Sequence, residues 1–237
     1  MAAAKILVVI VVILLVYIVY RYVSSDVHTL SGLVSAETMQ KVEASALPSD
    51  ANGNTVNYTY SIWFFIDDWN YKYGEKKVIF GRMSAENNNK FPCPTVTLQP
   101  VQNVITVDML VAPTVDTLPV THTVALPSIP IQRWVNLTLS TNTGILDLYL
   151  DGKLVRTSLL PGVPIVSPNS PVYVTPMGGF SGWTANFQYW ANSIGPQEAW
   201  NTYKAGYGGS WLSNIFGKYS VKISVMEGDT EESSLTI

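Results

Sequence analysis

Along this chain of 237 residues the spacing of apolar positions changes character twice. From Ile6 to Tyr20 the sequence ILVVIVVILLVYIVY carries no charge, is bracketed by Lys5 and Arg21, and is prolonged by Ala2–Ala4, Tyr22 and Val23. A helix over 2–23, rising about 1.5 Å per residue, reaches roughly 30 Å, the hydrocarbon thickness of a bilayer, if Lys5 and Arg21 extend their charges to the headgroups. A cleaved leader would be shorter and would end on small residues. This run ends on Tyr17, Tyr20, Arg21 and Tyr22, residue types of a membrane interface. Residues 1–23 are predicted to be a transmembrane anchor with Lys5, Tyr20, Arg21 and Tyr22 at its flanks.

Residues 24–54 lose this character and read as a stalk. A short helix is expected near Ser35–Ala44, where Glu37, Lys41 and Glu43 interrupt small apolar residues, and Pro48, Asn52 and Gly53 end it. From Asn57 onward the pattern is one of short runs bounded by turn residues. Tyr58–Ile66, Lys77–Phe80, Thr95–Leu98, Asn103–Leu110 and His122–Leu126 each have the length and Val, Ile and aromatic content of a strand. Between Trp134 and Leu159 the period becomes two: Val135, Leu137 and Leu139 alternate with Asn136, Thr138 and Ser140, and Leu146, Leu148 and Leu150 alternate with Asp147 and Tyr149. Asn142-Thr143-Gly144 turns the chain once. Asp151-Gly152 turns it again in the tight hairpin form, which requires positive φ at both positions. Three antiparallel strands with one apolar face must bury that face on a second sheet, so the predicted class is an all-β, two-sheet antiparallel sandwich.

Composition narrows the function. Only 13% of residues are charged, the net charge is −3, and no Lys/Arg cluster exceeds Lys76-Lys77, so the basic stripe that a phosphate backbone requires is missing and nucleic acid is excluded as a partner. Cys93 is the one cysteine, which rules out an internal disulfide and a cysteine-built zinc site and suits a reducing compartment. Lys5 and the amino terminus against Arg21 favour the opposite topology, with the domain carried across the membrane. Two glycosylation sequons, Asn57-Tyr58-Thr59 and Asn136-Leu137-Thr138, lie in predicted strands and are read as chance matches, because acceptor sites favour surface loops.

Three stretches resemble the laminin-G-like, or concanavalin A-like lectin and glucanase, superfamily. NYTYSIWFFID (57–67) resembles its early aromatic-rich strand, and RWVNLTLSTNTGILDLYLDGKLV (133–155) its Trp-strand and Asp-Gly hairpin. GGFSGWTANFQYWANSIGPQEAWNTYKAG (178–206) resembles the closing strand and following short helix, with Gly182, Tyr189, Pro196, Tyr203 and Gly206 in place. The resemblance implies a jelly-roll sandwich over 55–206. It departs from the pattern where the family's mid-strand carboxylate is replaced by Gln188. Residues 207–237 exceed the minimal domain and read as an extension with Trp211, Leu212, Ile215 and Phe216, an extra strand within Tyr219–Met226, and a solvated acidic end from Glu227 to Glu232. An anchored domain with such a tail is similar to structural proteins, in the virion membrane or minor capsid layer, of large DNA viruses.

No catalytic apparatus is recognisable. The superfamily's glucanases place two carboxylates at alternate positions of one strand, a pattern absent here. His28 and His122 lack a partner at any motif spacing, and no nucleophile elbow or phosphate-binding loop occurs. Asp67, Asp68, Asp108, Asp116 and Asp147 are the oxygen donors available for calcium, which many relatives bind at the rim, but the sequence brings no three together; they read as turn residues, and no cofactor is expected. Of seven tryptophans, Trp63 and Trp134 are assigned to the core, and Trp69 with Tyr71 and Tyr73, or Trp183, are the candidate ligand-binding aromatics. The leading expectation is a non-enzymatic, membrane-anchored protein that tethers a membrane to a protein assembly such as a large-virus capsid. A membrane-displayed lectin for glycans is the alternative, and a degenerate glycosidase dependent on Asp67 or Asp68 is the third.

Overall fold

The computed structural model of the protein describes residues 13, 17, 27–47, 56–83, 92–113, 118–167, 169–208, 222–227 and 230–236. The predicted anchor and its flanks, Lys5, Tyr20, Arg21 and Tyr22, lie outside these residues, within which Ile13 and Tyr17 are helical and exposed. Among the described residues no helix is long and apolar enough to cross a membrane.

Two antiparallel sheets, each of seven strands, make a sandwich. The first runs in the order β1 (Val27–Ser31), β14 (Gly182–Trp190), β4 (Tyr58–Ile66), β9 (Trp134–Asn142), β10 (Ile145–Leu150) and β11 (Lys153–Leu159), and β2 (Val34–Ser35) also pairs with β14. The second runs β12 (Val163–Pro164), β7 (Val104–Ala112), β6 (Thr95–Leu98), β5 (Lys77–Arg82), β13 (Val172–Val174) and β3 (Gln40–Val42), with β8 (Val120–Pro127) on β7. Strands β15 (Lys222–Glu227) and β16 (Thr230–Thr236) form a two-stranded sheet of their own. One helix, α1 (Pro196–Ala205), follows β14.

The stretch read as a stalk is corrected between Val27 and Val42. Instead of a helix near Ser35–Ala44 it supplies β1 and β2 to the first sheet and β3 to the second, leaving only a single helical turn at Ala44–Ala46. These strands are two to five residues long and mostly polar, so pairing with the long β14 and with β13 holds them, rather than an apolar period of their own. Part of the acidic end, Glu231 and Glu232, falls within β16, which pairs with β15, the predicted extra strand.

Alternation on β4 builds the core. Tyr58, Tyr60, Ile62, Phe64 and Ile66 all turn inward and are at most 2% exposed. They meet the second sheet through Tyr60 and Phe80, whose rings are 5.5 Å apart, and Phe80 lies 4.8 Å from Phe187 of β14. Opposite positions on β9 and β10, Val135, Leu137, Leu139, Leu146 and Leu148, fill the rest. Removing one such side chain to the β-carbon costs about 2–5 kcal/mol, which makes this layer the main source of stability.

The other face of β4 and β9 is polar yet equally buried. Thr59, Ser61, Asn136, Thr138 and Ser140 are no more than 3% exposed. They satisfy one another and the covering segment: Asn136 Nδ2 donates to Ser61 Oγ at 3.0 Å, Thr138 Oγ1 to Ser61 Oγ at 2.9 Å, and Thr59 Oγ1 to the carbonyl of Asn192 at 2.9 Å. Ser140 Oγ accepts from the Ile194 N–H at 3.0 Å. Helix α1 seats beside this seam, burying Ala199 against Tyr149 and Ile194. Pro196 opens the helix and the Glu198 carboxylate accepts from the Gly195 N–H. Asn136, the asparagine of the second sequon, is fully enclosed with its amide already donating.

Candidate functional site

Trp69, Tyr71 and Tyr73 do not form an open binding loop. Trp69 is half-buried and packs on the core, its ring 5.0 Å beneath Lys77 Nζ, which also donates to the Trp69 carbonyl at 2.9 Å. Lys77 is 2% exposed, and burial holds its ammonium below the usual lysine value, against the opposing pull of Asp68 and Glu75. A cation held over an indole contributes about 0.5–2 kcal/mol, so Trp69 serves as an internal clamp. Tyr71 donates to the Gly178 carbonyl at 3.1 Å, and Lys72 Nζ to that of Met177, which tie this loop to the tight turn at Pro176–Gly178. Tyr73 alone of the three aromatics is exposed.

Trp183 is different. It stands on the outer face of β14 and is 48% exposed, between the buried Gly182 and Thr184. Register places Trp183 opposite Phe65 of β4, and Phe65 opposite Trp134 of β9. The Phe65 and Trp134 rings are 5.8 Å apart. Three aromatic side chains thus stand at one level on three adjacent strands, a row about 10 Å long at the usual 4.8 Å strand spacing. Trp134, assigned from sequence to the core, is a half-exposed member of this outer row. Trp63 is buried at 5% exposure, but on the same outer face, beneath Tyr203 (5.5 Å, stacked) and Tyr207 (5.9 Å). Its indole nitrogen is buried and has no hydrogen-bond partner among the described residues. Tyr207, just past the end of α1, stacks on Trp134 at 4.5 Å.

Just beyond the ends of these three strands come Ser181, Asp67 and Gln132, the last with φ +56°. They are joined through the backbone: the Asp67 N–H donates to the Ser181 carbonyl at 2.9 Å, and the Gln132 N–H to that of Ile66 at 2.8 Å. Asp67 and Gln132 are exposed, and the Asp67 carboxylate takes no hydrogen bond among the described residues. Beyond Trp134, Arg133 pairs with Asp151, which also accepts from the Asn136 N–H at 3.0 Å. Asp151 and Gly152 both have positive φ, as their two-residue turn requires.

Among the described residues no group of three His, Cys, Asp or Glu side chains could hold a metal ion. Asp68 Oδ1 accepts from Asn70, Asp108 Oδ1 from Thr123 and Asp147 Oδ1 from Thr157, while Asp116 lies outside the described residues. His122, which has no motif partner in sequence, meets Ser158 Oγ at 2.9 Å and so joins β8 of one sheet to β11 of the other. Cys93 is 2% exposed, with Tyr58 Oη 3.5 Å from its sulfur, and burial pushes its thiol up to about 11. A thiol so enclosed is a core residue, which weakens the inference from cysteine usage to compartment.

No family model and no curated protein matches the chain. Solved structures do. The chain is similar to the binding domain of botulinum neurotoxin serotype D, with a TM-score of 0.52 and 12% identity over 75% of this chain and 50% of that one. It is similar also to the receptor binding domain of botulinum neurotoxin C/D mosaic serotype, with a TM-score of 0.51 and 11% identity over 66% and 40%. The match spans half or less of those chains. At such identities the likeness is one of fold, and the fold is a two-sheet antiparallel β-sandwich.

Proposed function

We propose that this protein is a non-enzymatic, membrane-anchored interaction protein whose sandwich holds a partner through its outer aromatic face. The observation that carries the reading is the row Trp183, Phe65 and Trp134, with Trp183 open to solvent beside the part of β4 and β9 that α1 and its approach segment cover. Exposed tryptophan at the centre of a rigid surface is the residue type that anchors binding interfaces. The apolar run 2–23 supports the anchor, and the lack of any recognisable catalytic motif in the sequence supports a role without catalysis. The sandwich neighbours named as binding and receptor binding domains are in keeping with it. The setting that the sequence resemblance favours is the layer between a membrane and the protein shell of a large virion.

The test is fractionation of the full chain expressed in its own particle or cell. We expect it to resist alkaline carbonate extraction, to shift to one protected fragment on proteolysis of sealed vesicles, and to be found in purified particles. Release by carbonate would refute the anchor, and detection only in host membrane would refute the virion setting.

A further inference from the structure

Resting on the reading of residues 2–23 as a membrane anchor, we propose that the sandwich stands directly on the bilayer, with the end at which the chain enters it facing lipid and Trp183 held at the opposite end. Strand direction decides which end that is. Across the first sheet the register sets Val27, Trp190, Thr59, Ser140, Asp147 and Thr157 at one level. The start of β1 therefore shares an end with the turn between Asn142 and Ile145 and with Leu159, where β11 stops. Three residues carry the chain from Leu159 to Val163, so the same end of the second sheet holds Val163, which pairs with Ala112, and Val120, which pairs with Val111. Only Ser24, Ser25 and Asp26 separate the apolar run from Val27, which puts Val23 and Val27 at most about 14 Å apart however that link is arranged. With β1 drawn into the sheet, the link is too short to lift the domain clear of the headgroups.

The surface of that end suits lipid. Leu118 and Leu159 are 86% and 77% exposed, and Val120, Val163 and Ile145, the last paired with Leu159, are exposed as well. His122 of β8 meets Ser158 of β11, which brings the contributions of the two sheets together. Among the described residues, the charges nearest this end are already engaged. Lys41 pairs with Glu43 at 2.8 Å, Asp147 accepts from Thr157, Glu198 accepts from the Gly195 N–H, and Arg82 is buried and donates to the Ser170 carbonyl at 3.2 Å. The far end also exposes apolar side chains, Tyr73, Val101 and Trp183 among them, but sets them beside Asp67, Asp68, Lys72, Glu75 and Lys76. Moving such charges into the headgroup and acyl boundary is costly, whereas burying aliphatic surface there gains about 25 cal/mol per Å². Five side chains bind lipid weakly alone; an anchor that keeps them at the surface makes the contact intramolecular. Strands β1 and β11 are opposite edges of their sheet, roughly 24 Å apart at five spacings of 4.8 Å. Anchor at one edge and aliphatic group at the other set the sheet upright. Trp183, seven residues before Trp190 on β14, then stands roughly 23 Å above the lipid-facing end and points its aromatic row at partners away from the membrane.

The experiment reconstitutes the full chain in phosphatidylcholine vesicles as Leu159→Cys, Val163→Cys or, at the far end, Tyr73→Cys, each labelled there with an environment-sensitive fluorophore, while the buried Cys93 stays unlabelled in the folded protein. Lipids carrying a nitroxide near the headgroup are expected to quench the labels at 159 and 163 about twofold or more and to leave the label at 73 unquenched. Adding Leu118→Asp and Val163→Asp to the chain labelled at 159 is expected to bring its quenching down to the level at 73, with carbonate resistance and melting temperature unchanged. Labels at 159 and 163 as unquenched as that at 73, in a chain that resists carbonate, overturn the docked end and leave the anchor standing. Release by carbonate overturns both. Nanodiscs holding one chain each separate lipid from a second copy of the protein: quenching retained in them supports the bilayer, and quenching lost in them assigns the surface to a second copy and overturns the proposal.

Discussion

The indole of Trp134 and the phenol ring of Tyr207 lie 4.5 Å apart and within 10° of parallel, although 73 positions separate them in sequence. Tyr207 is the second residue past α1, set there by Gly206 at φ +80°, whose carbonyl accepts from Asn186 Nδ2 at 3.1 Å. The stack therefore fastens the end of the covering segment to the aromatic row. Tyr207→Ala is expected to expose Trp134, red-shift the tryptophan emission and cost about 0.5–1.5 kcal/mol beyond the lost buried area. Fluorescence and urea unfolding measure both.

The polar seam beneath α1 predicts an asymmetric response. Asn136→Ala leaves Ser61 and Thr138 facing a void and removes a partner from each, so a loss of about 1–3 kcal/mol in urea unfolding is expected. Exchanging the surface residue Gln197 for Ala, which breaks only an exposed bond to Asn201, should change stability by less than about 0.5 kcal/mol.

Gly152 tests how the hairpin seats the helix. Its φ is +72°, and a β-carbon there would stand 2.8 Å from Tyr203 Cβ and 3.1 Å from Trp200 Cα. Gly152→Ala is predicted to push α1 off the sheet. Hydrogen exchange should quicken across Pro196–Ala205 while the β4 amides stay protected.

Alkaline pH is predicted to destabilise the fold. Burial raises the Tyr58 hydroxyl well above its ordinary value and the Cys93 thiol to about 11, against about 8.5 for an unfolded thiol. The unfolded chain then loses its protons first, so the contribution is complete below pH ~8.5 and is lost as pH rises through the folded value. Urea midpoints should decline from about pH 9 upward, and Cys93 should resist alkylation until the protein unfolds.

Much of the fold was legible because strand periods are local. Tyr58–Ile66, Thr95–Leu98 and the hairpin around Asp151-Gly152 stand where alternation and turn chemistry put them. The outer face of β9 was harder to read. Asn136, Thr138 and Ser140 show the alternation of a solvated face, and only the long-range return of residues 191–207 over them turns that face into a sealed seam. The aromatic site followed the same rule. Trp183 was named as a candidate from sequence, but its companions Phe65 and Trp134 are fixed by register between strands far apart in sequence. The loop carrying Trp69 and Tyr71 has a binding loop's composition, and its engagement with Lys77 and Gly178 is not encoded at any local spacing.

The central claim, that the outer aromatic face is where this protein holds its partner, is tested most directly by comparing wild type with Trp183→Ala in the native membrane. With a photo-crosslinking residue at the half-exposed position 35, opposite Trp183 in β2, the wild-type background should give a defined crosslinked partner by mass spectrometry, and Trp183→Ala should reduce its yield tenfold or more at unchanged melting temperature. The same crosslink recovered in full from the Trp183→Ala background would contradict it.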